Sequence, residues 1–160
     1  KYMKKFIAGI LTIIFLFIGF WLGEAGKGLF QISPYLVGFL GILAISLLIS
    51  NNWKYRTLSG FTFFILFSVA FYMGDVSFYH AYNSCIERAE NIRIALSEFQ
   101  SKNGNYPSVL DELNMPLPCS RCLRGTILEC ESNGSHYKIW FKDWLVEHSA
   151  TDKEPFLAHK

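Results

Sequence analysis

A proline-free stretch from Thr57 to Asn103 constrains this chain more than any other feature. It begins as an apolar run, Gly60 to Phe71, and ends as a polar amphipathic segment, Ile86 to Phe99. The pattern predicts one long helix, or two stacked helices, with one half in a lipid bilayer and the other half outside it. A continuous helix of this length would extend about 70 Å, of which about 30 Å would cross hydrocarbon.

Two further apolar runs precede this stretch, and each can form a membrane-spanning helix. The three spans are predicted at about residues 6–22, 35–50 and 58–79, within a transmembrane domain of residues 1–79. The first run could alternatively be a signal peptide, although Trp21 to Glu24 is a poor cleavage site. In the second run Gly38 and Gly41 are interaction candidates, because small residues let helices approach closely; neutral filler is the other interpretation.

The positive charges between the runs predict the orientation. Five of them fall on one side of the predicted membrane and one on the other: Lys1, Lys4, Lys5, Lys54 and Arg56 against Lys27. By the positive-inside rule the N-terminus is cytoplasmic and residues 80–160 form an extracytoplasmic domain. Glu24 and Lys27 are expected to be solvated in a short external loop. Asp75 and His80 lie near the end of the third span. Asp75 either marks an ion path or lies at the outer interface in contact with water.

The outer half of the long stretch carries one apolar stripe. Its members recur at steps of three and four, with Ile86 and Ala95 widening it: Cys85, Ala89, Ile92, Leu96 and Phe99. Such a stripe usually covers a small core, and packing against another protein's helix is the alternative. Gly104 is expected to end the helix in a left-handed conformation. Ser108 is expected to cap a short helical turn that follows.

A β-hairpin is predicted after the helix, because Asn133-Gly134 suits a two-residue type I′ turn between alternating strands. That turn sets the following pairs: Cys130 with Tyr137, Glu129 with Lys138, Leu128 with Ile139, and Ile127 with Trp140. One face is then apolar and should lie on the helix stripe. The Ile127 and Trp140 pair falls on the exposed face and is a candidate interaction site. A further strand is predicted near Pro155–Ala158.

The four cysteines, Cys85, Cys119, Cys122 and Cys130, all lie in the polar half of the chain. Two structural disulfides are the favoured interpretation for a small exported domain, and three pairings are open. Cys130 with Cys119 or Cys122, and Cys85 with the other, is the pairing we favour. The alternatives are a redox-active Cys119-Ser120-Arg121-Cys122 motif and a zinc site completed by Cys130 with His136 or Cys85. We expect no metal or other cofactor.

Residues 89–113 resemble the junction found in type IV pilins and in the major pseudopilins of type II secretion. In those proteins a long helix runs into an Asn-Gly turn, as at Asn103-Gly104, and a Tyr-Pro pair follows, as at Tyr106-Pro107. Gly60-Phe61 is similar to the family's processing site. The resemblance implies a spine helix packed on a short antiparallel sheet, in a periplasmic domain of a bacterial inner-membrane protein. Ile65 stands where the family has a glutamate important for assembly, which implies a module retained in the membrane.

The sequence contains no catalytic constellation, and a net charge of +2 without a basic block disfavours nucleic-acid binding. The leading hypothesis is therefore a non-enzymatic accessory subunit. Its partners would be the lipid bilayer and other membrane protein subunits of a larger complex, with pilus or secretion machinery the first expectation. The alternatives are an envelope thiol oxidoreductase that uses Cys119 and Cys122, and a small immunity or exclusion protein.

Overall fold

The computed structural model describes residues 2–25, 33–49, 52–116, 118–143 and 146–159. Lys1, Lys27 and Ser50, which entered the predictions above, lie outside the described residues. The elements in chain order are the helices α1 (Tyr2–Gly23), α2 (Ser33–Ile49) and α3 (Trp53–Asn103), a 3-10 turn (Leu110–Leu113), and the strands β1 (Glu129–Ser132), β2 (Tyr137–Asp143), β3 (Val146–Thr151) and β4 (Leu157–His159). The chain forms two compact units, Lys1–Phe78 and Tyr79–Lys160.

Helix α3 is one continuous helix, so of the two predicted alternatives, one long helix or two stacked helices, the first is correct. It begins at Trp53 rather than Thr57, because Asn52 acts as its cap: the Asn52 Oδ1 atom accepts the Lys54 amide at 3.0 Å. It ends as predicted, since Gly104 has a φ of +80° and its amide donates to the carbonyl of Gln100 at 2.8 Å. This left-handed residue satisfies a carbonyl of the last turn.

The first unit has a small aromatic core made by all three helices. The rings of Phe15 and Phe67 stack with centroids 4.8 Å apart, and Ile45 and Phe63 are buried beside them. Gly38 and Gly41, the predicted interaction candidates, lie against the Phe67 and Phe15 rings respectively. These two glycines therefore make room for aromatic side chains of their own chain.

Two of the described helices are long and apolar enough to cross a membrane, judged by length and composition. They are α1, with a mean hydropathy of 2.5 over Phe6–Gly23, and α3, whose most apolar window has a mean hydropathy of 1.6. The apolar part of α2, Tyr35–Leu47, is shorter. By this test α1 and α3 are candidate spans, and the prediction of three spans stays a prediction.

In the second unit the C-terminal part of α3, residues 79–103, packs against a four-stranded antiparallel sheet of order β1-β2-β3-β4. The predicted stripe is buried at Cys85, Ala89, Ile92 and Leu96, and half-buried at Phe99. The Tyr82 ring meets the Phe141 ring edge-on at 5.6 Å. Ile86 is 52% exposed, so the prediction that it widens the stripe is wrong. The sheet covers only the narrow face of α3 that carries the stripe, and Ile86 lies beyond the edge of that face.

The predicted hairpin forms, but the predicted register is wrong: the observed pairing is shifted by two residues. Cys130 pairs with Ile139 and Ser132 with Tyr137. The loop has four residues because the Asn133 Oδ1 atom accepts the amides of Ser135 and His136, at 3.0 and 2.8 Å. Since side chains alternate with period two, this difference leaves the residues within β1 and β2 on their predicted faces.

Two smaller predictions have different outcomes. Ser108 is not the cap of the short turn: Val109 precedes it without a side-chain cap, and the Ser108 hydroxyl bonds instead to the Glu112 carboxylate at 2.6 Å. The tail strand predicted near Pro155–Ala158 is present as β4, which pairs with β3.

Candidate functional site

The segment that carries the Cys-x-x-Cys motif is attached to α3. We call residues 118–128 the cysteine loop. The Cys119 amide donates to the Ser84 hydroxyl at 2.7 Å, and the Arg88 guanidinium reaches the Pro116 carbonyl at 3.5 Å. Ser84 and Arg88 lie one helical turn apart, so α3 holds the start of the loop at two points.

The cysteine loop is also closed on itself. Arg121 and Gly125 form an isolated antiparallel bridge, in which the Arg121 amide donates to the Gly125 carbonyl at 2.9 Å. The Arg121 side chain donates to the same carbonyl at 3.1 Å and to that of Thr126 at 3.4 Å. Gly125 has a φ of +68°, a conformation that favours glycine. Cys122 therefore lies in a tight turn with a defined backbone.

Burial separates the four cysteines into two pairs. Cys119 and Cys122 are exposed on the loop, whereas Cys85 is fully buried and Cys130 is half-buried. Burial raises the pKa of the Cys85 thiol to about 11, although hydrogen bonds with the Thr126 hydroxyl and the Leu128 amide oppose the increase. Burial also raises the pKa of the Cys130 thiol to about 11.

No disulfide bond joins the cysteines within the described chain, and the two predicted disulfides stay a prediction. A thioredoxin-like active site would place the first cysteine at the start of a helix. Here Cys119 lies in an irregular segment that leads into the Arg121 bridge. In the described part of the chain, no three side chains of His, Cys, Asp or Glu are grouped so that they could hold a metal ion.

The predicted exposed pair of Ile127 and Trp140 does not exist. Ile127 precedes β1 and is buried, with only 7% of its surface accessible. Trp140 is half-buried on the outer face of the sheet, between Glu129 on β1 and Ser149 on β3. The Lys138 ammonium lies 5.4 Å from the centroid of its ring. The two-residue difference in register explains why Trp140 pairs with Glu129 rather than with Ile127.

The structure reveals a close helix crossing in the first unit that sequence reasoning missed. Gly23 on α1 and Gly74 on α3 lie face to face. A Cβ atom built on Gly74 would overlap the Phe20 carbonyl and would lie 3.0 Å from the Gly23 Cα atom. A Cβ on Gly23 would overlap the Phe71 carbonyl in the same way. The shared Gly-acid dipeptides, Gly23-Glu24 and Gly74-Asp75, are the sequence pattern that could have indicated it.

Glu24 is fully buried beside this crossing, so the expectation that it is solvated is wrong. Its amide donates to the Phe20 carbonyl at 3.0 Å, which continues the last turn of α1. The Ser77 hydroxyl of α3 donates to the Glu24 Oε1 atom at 2.8 Å. A buried carboxylate needs hydrogen-bond donors, and the glycine contact brings α3 close enough to supply one. Asp75 is half-buried and His80 is exposed.

Replacing Ser77 by alanine is expected to destabilise the first unit by about 1–3 kcal/mol, because it removes a donor from a buried carboxylate. The matched control is Ser68→Ala on the same helix. Ser68 is exposed and its hydroxyl bonds to the Phe64 carbonyl of its own helix at 2.8 Å, so the change should stay within about 0.5 kcal/mol. Thermal unfolding of both variants in detergent measures the difference. Equal melting temperatures would contradict the role of Ser77.

A second polar contact that the sequence did not indicate joins two loops of the sheet. His136 Nδ1 lies 2.9 Å from Asp152 Oδ2. The hydrogen bond to His136 lowers the pKa of the Asp152 carboxyl. Both groups reach solvent, and exposed ion pairs contribute little to stability. We therefore assign this contact a local role in holding the hairpin loop.

Comparison with protein-family models, with curated proteins and with solved structures finds no significant match to the chain.

Proposed function

We propose that this chain is an integral membrane protein that holds a small α+β domain outside a bacterial inner membrane. In this role it is a non-enzymatic accessory subunit, and the domain docks onto a larger membrane complex of the pilus or secretion type. The observation that carries the proposal is the change in character along one helix. The first part of α3 presents large apolar side chains outward, and the second part buries a single stripe against a sheet.

The exposed surface of the first unit supports the membrane part of the proposal. Phe6, Ile13 and Leu58 are each more than 60% exposed, and side chains of the same kind cover all three helices. Only 22% of the apolar window of α1 and 17% of that of α3 is buried. Soluble monomers rarely expose so large an apolar area. Contact of this apolar surface with lipid has a lower free energy than its contact with water.

Helix α2 fits as a third span on length alone if it lies close to the bilayer normal. It has 17 residues, at the lower end of the range of about 17–25 that a spanning helix needs. Three spans also agree with the distribution of lysine and arginine, which favours a cytoplasmic N-terminus and a periplasmic second unit.

The pilin-like part of the proposal is supported by the helix-on-sheet arrangement of the second unit. The Tyr106 amide, just after the Asn-Gly turn, donates to the Gly134 carbonyl of the hairpin loop at 2.9 Å. The Tyr106 and Tyr137 rings meet edge-on at 4.8 Å. Pro107 is fully buried beside them. The residues that carry the resemblance are thus the ones that join the helix end to the sheet.

Membrane extraction and protease protection test the anchor and its orientation. We expect the chain, expressed in a bacterium with an N-terminal tag, to stay in the membrane pellet after a carbonate wash. Protease added to spheroplasts should remove the second unit and leave the tagged N-terminal part protected. Intact cells are the control, in which the second unit should survive. Release by carbonate, or cleavage of the tag in spheroplasts, would contradict the proposal.

The accessory role requires a separate measurement. Blue-native electrophoresis in mild detergent should show the chain in a complex well above its own 18.4 kDa, and mass spectrometry of that band identifies the other subunits. Migration as a lone monomer would contradict the docking role but leave the membrane anchor in place.

A further inference from the structure

The two pairs of cysteines differ in their exposure to solvent. The thiolate is the reactive form, and it must also be reached by its reaction partner. Cys85 is fully buried under the cysteine loop, and Cys130 is half-buried. With thiol pKa values of about 11, only about 0.1% of either would be thiolate at pH 8. Both are therefore protected from exchange by position and by protonation.

Cys119 and Cys122 differ from that pair in accessibility. Both are exposed, and only two residues separate them on a short loop whose backbone is held at several points. The Ser84 hydroxyl holds Cys119 through its amide, and the Arg121–Gly125 bridge closes the turn that contains Cys122. A disulfide between them would close a small ring at the surface without crossing the core.

We propose that Cys119 and Cys122 form a surface dithiol site that undergoes thiol–disulfide exchange with disulfide-bearing molecules, while Cys85 and Cys130 stay outside the exchange. The thiolate of one residue attacks the disulfide of the partner, forms a mixed disulfide and releases one partner thiolate. The second cysteine, as thiolate, then attacks the mixed disulfide, forms the Cys119–Cys122 bond and releases the second partner thiolate. Two protons leave the protein, two cysteines are oxidised, and one partner disulfide is reduced.

The sequence makes this site unusually easy to test. Trypsin cleaves after lysine and arginine, so it cuts between the two cysteines at Arg121 and again at Arg124. Each of the four cysteines then lies on its own peptide: 57–88, 103–121, 122–124 and 125–138. Every possible disulfide therefore links a different pair of peptides.

The experiment uses the full chain, purified in mild detergent, fully reduced and freed of reductant. It is incubated with oxidised glutathione at pH 8, quenched with acid, alkylated and digested. We expect peptide 103–121 to be linked to peptide 122–124, with at least ten-fold less oxidation of peptides 57–88 and 125–138. The same incubation in guanidinium is the control, in which all four cysteines should react.

Single substitutions separate the two steps of the exchange. In Cys122→Ser the reaction should stop at a glutathione adduct on peptide 103–121, and in Cys119→Ser at an adduct on peptide 122–124. Both side chains are exposed, so neither change should disturb folding. The proposal is overturned if Cys85 or Cys130 reacts as readily as the loop cysteines, if either becomes linked to the loop, or if no cysteine reacts. None of these readouts depends on the membrane or on a partner subunit.

Discussion

Replacing Gly74 by alanine is expected to destabilise the helix bundle of the first unit by about 3 kcal/mol, at the upper end of the usual cost of overpacking. The added methyl group would overlap the Phe20 carbonyl and lie 2.9 Å from the Glu24 amide nitrogen. Backbone atoms cannot move aside as a flexible side chain can, so α1 and α3 must separate. Separation would also draw Ser77 away from the buried Glu24 carboxylate.

The measurement is thermal unfolding of the full chain in detergent, followed by circular dichroism. Gly23→Ala should have a similar effect, because its Cβ atom would overlap the Phe71 carbonyl. The double variant should cost less than the sum of the two, since either methyl group alone already separates the helices.

Gly9→Ala is the matched control on α1. A Cβ atom at Gly9 meets nothing within 4 Å, and alanine in a helix is more favourable than glycine by about 0.5–1 kcal/mol. We therefore expect a melting temperature that is unchanged or higher. If Gly74→Ala behaved like Gly9→Ala, the two helix backbones would not be in contact at Gly23.

The second large effect is expected in the core of the second unit. Ile92 is fully buried in the stripe of α3, so Ile92→Ala should cost about 2–5 kcal/mol through lost burial and the cavity that remains. Ile94 is two residues further along the same helix and 58% exposed. Ile94→Ala removes the same atoms from the surface and should stay within about 0.5 kcal/mol.

Amide hydrogen exchange of strand β2 in the full chain measures this effect, because β2 lies inside the sheet between β1 and β3. Ile92→Ala should accelerate exchange of its amides strongly, and Ile94→Ala should leave it near the unsubstituted rate. Equal effects would mean that the stripe is not the face that the sheet covers. A larger effect of Ile94→Ala would indicate that a partner covers the opposite face.

Local chemistry explains which parts of the fold could be predicted. The stripe through Ile92 and Leu96 is a property of helical periodicity, and the helix end at Gly104 is a property of glycine backbone freedom. Both act within a few residues, so no knowledge of the remaining chain was needed. The two faces of the hairpin follow from alternation in the same way.

The hairpin register illustrates where local rules stop. Asn133-Gly134 is compatible with a two-residue turn, but the Asn133 side chain bonds to the Ser135 and His136 amides and makes a four-residue loop instead. The two-residue and the four-residue loop both keep the same side chains of β1 and β2 on the same face of the sheet. The choice between them determines that Trp140 pairs with Glu129 and Ser149, and leaves Ile127 outside the strand.

The sequence by itself determined that the long stretch is helical, that its C-terminal half is amphipathic, where the helix ends and how side chains alternate along the hairpin strands. These features depend on contacts between residues close together in the chain. Only the tertiary structure decided that Glu24 is buried rather than solvated, that Gly23 meets Gly74, and that the cysteines divide into a buried and an exposed pair. Each of those depends on which distant segments pack together. The proline-free stretch forms α3, which was predicted from local sequence, but the contacts that α3 makes depend on tertiary structure. It supplies Gly74 and Ser77 to the first unit and Ser84 and Cys85 to the second.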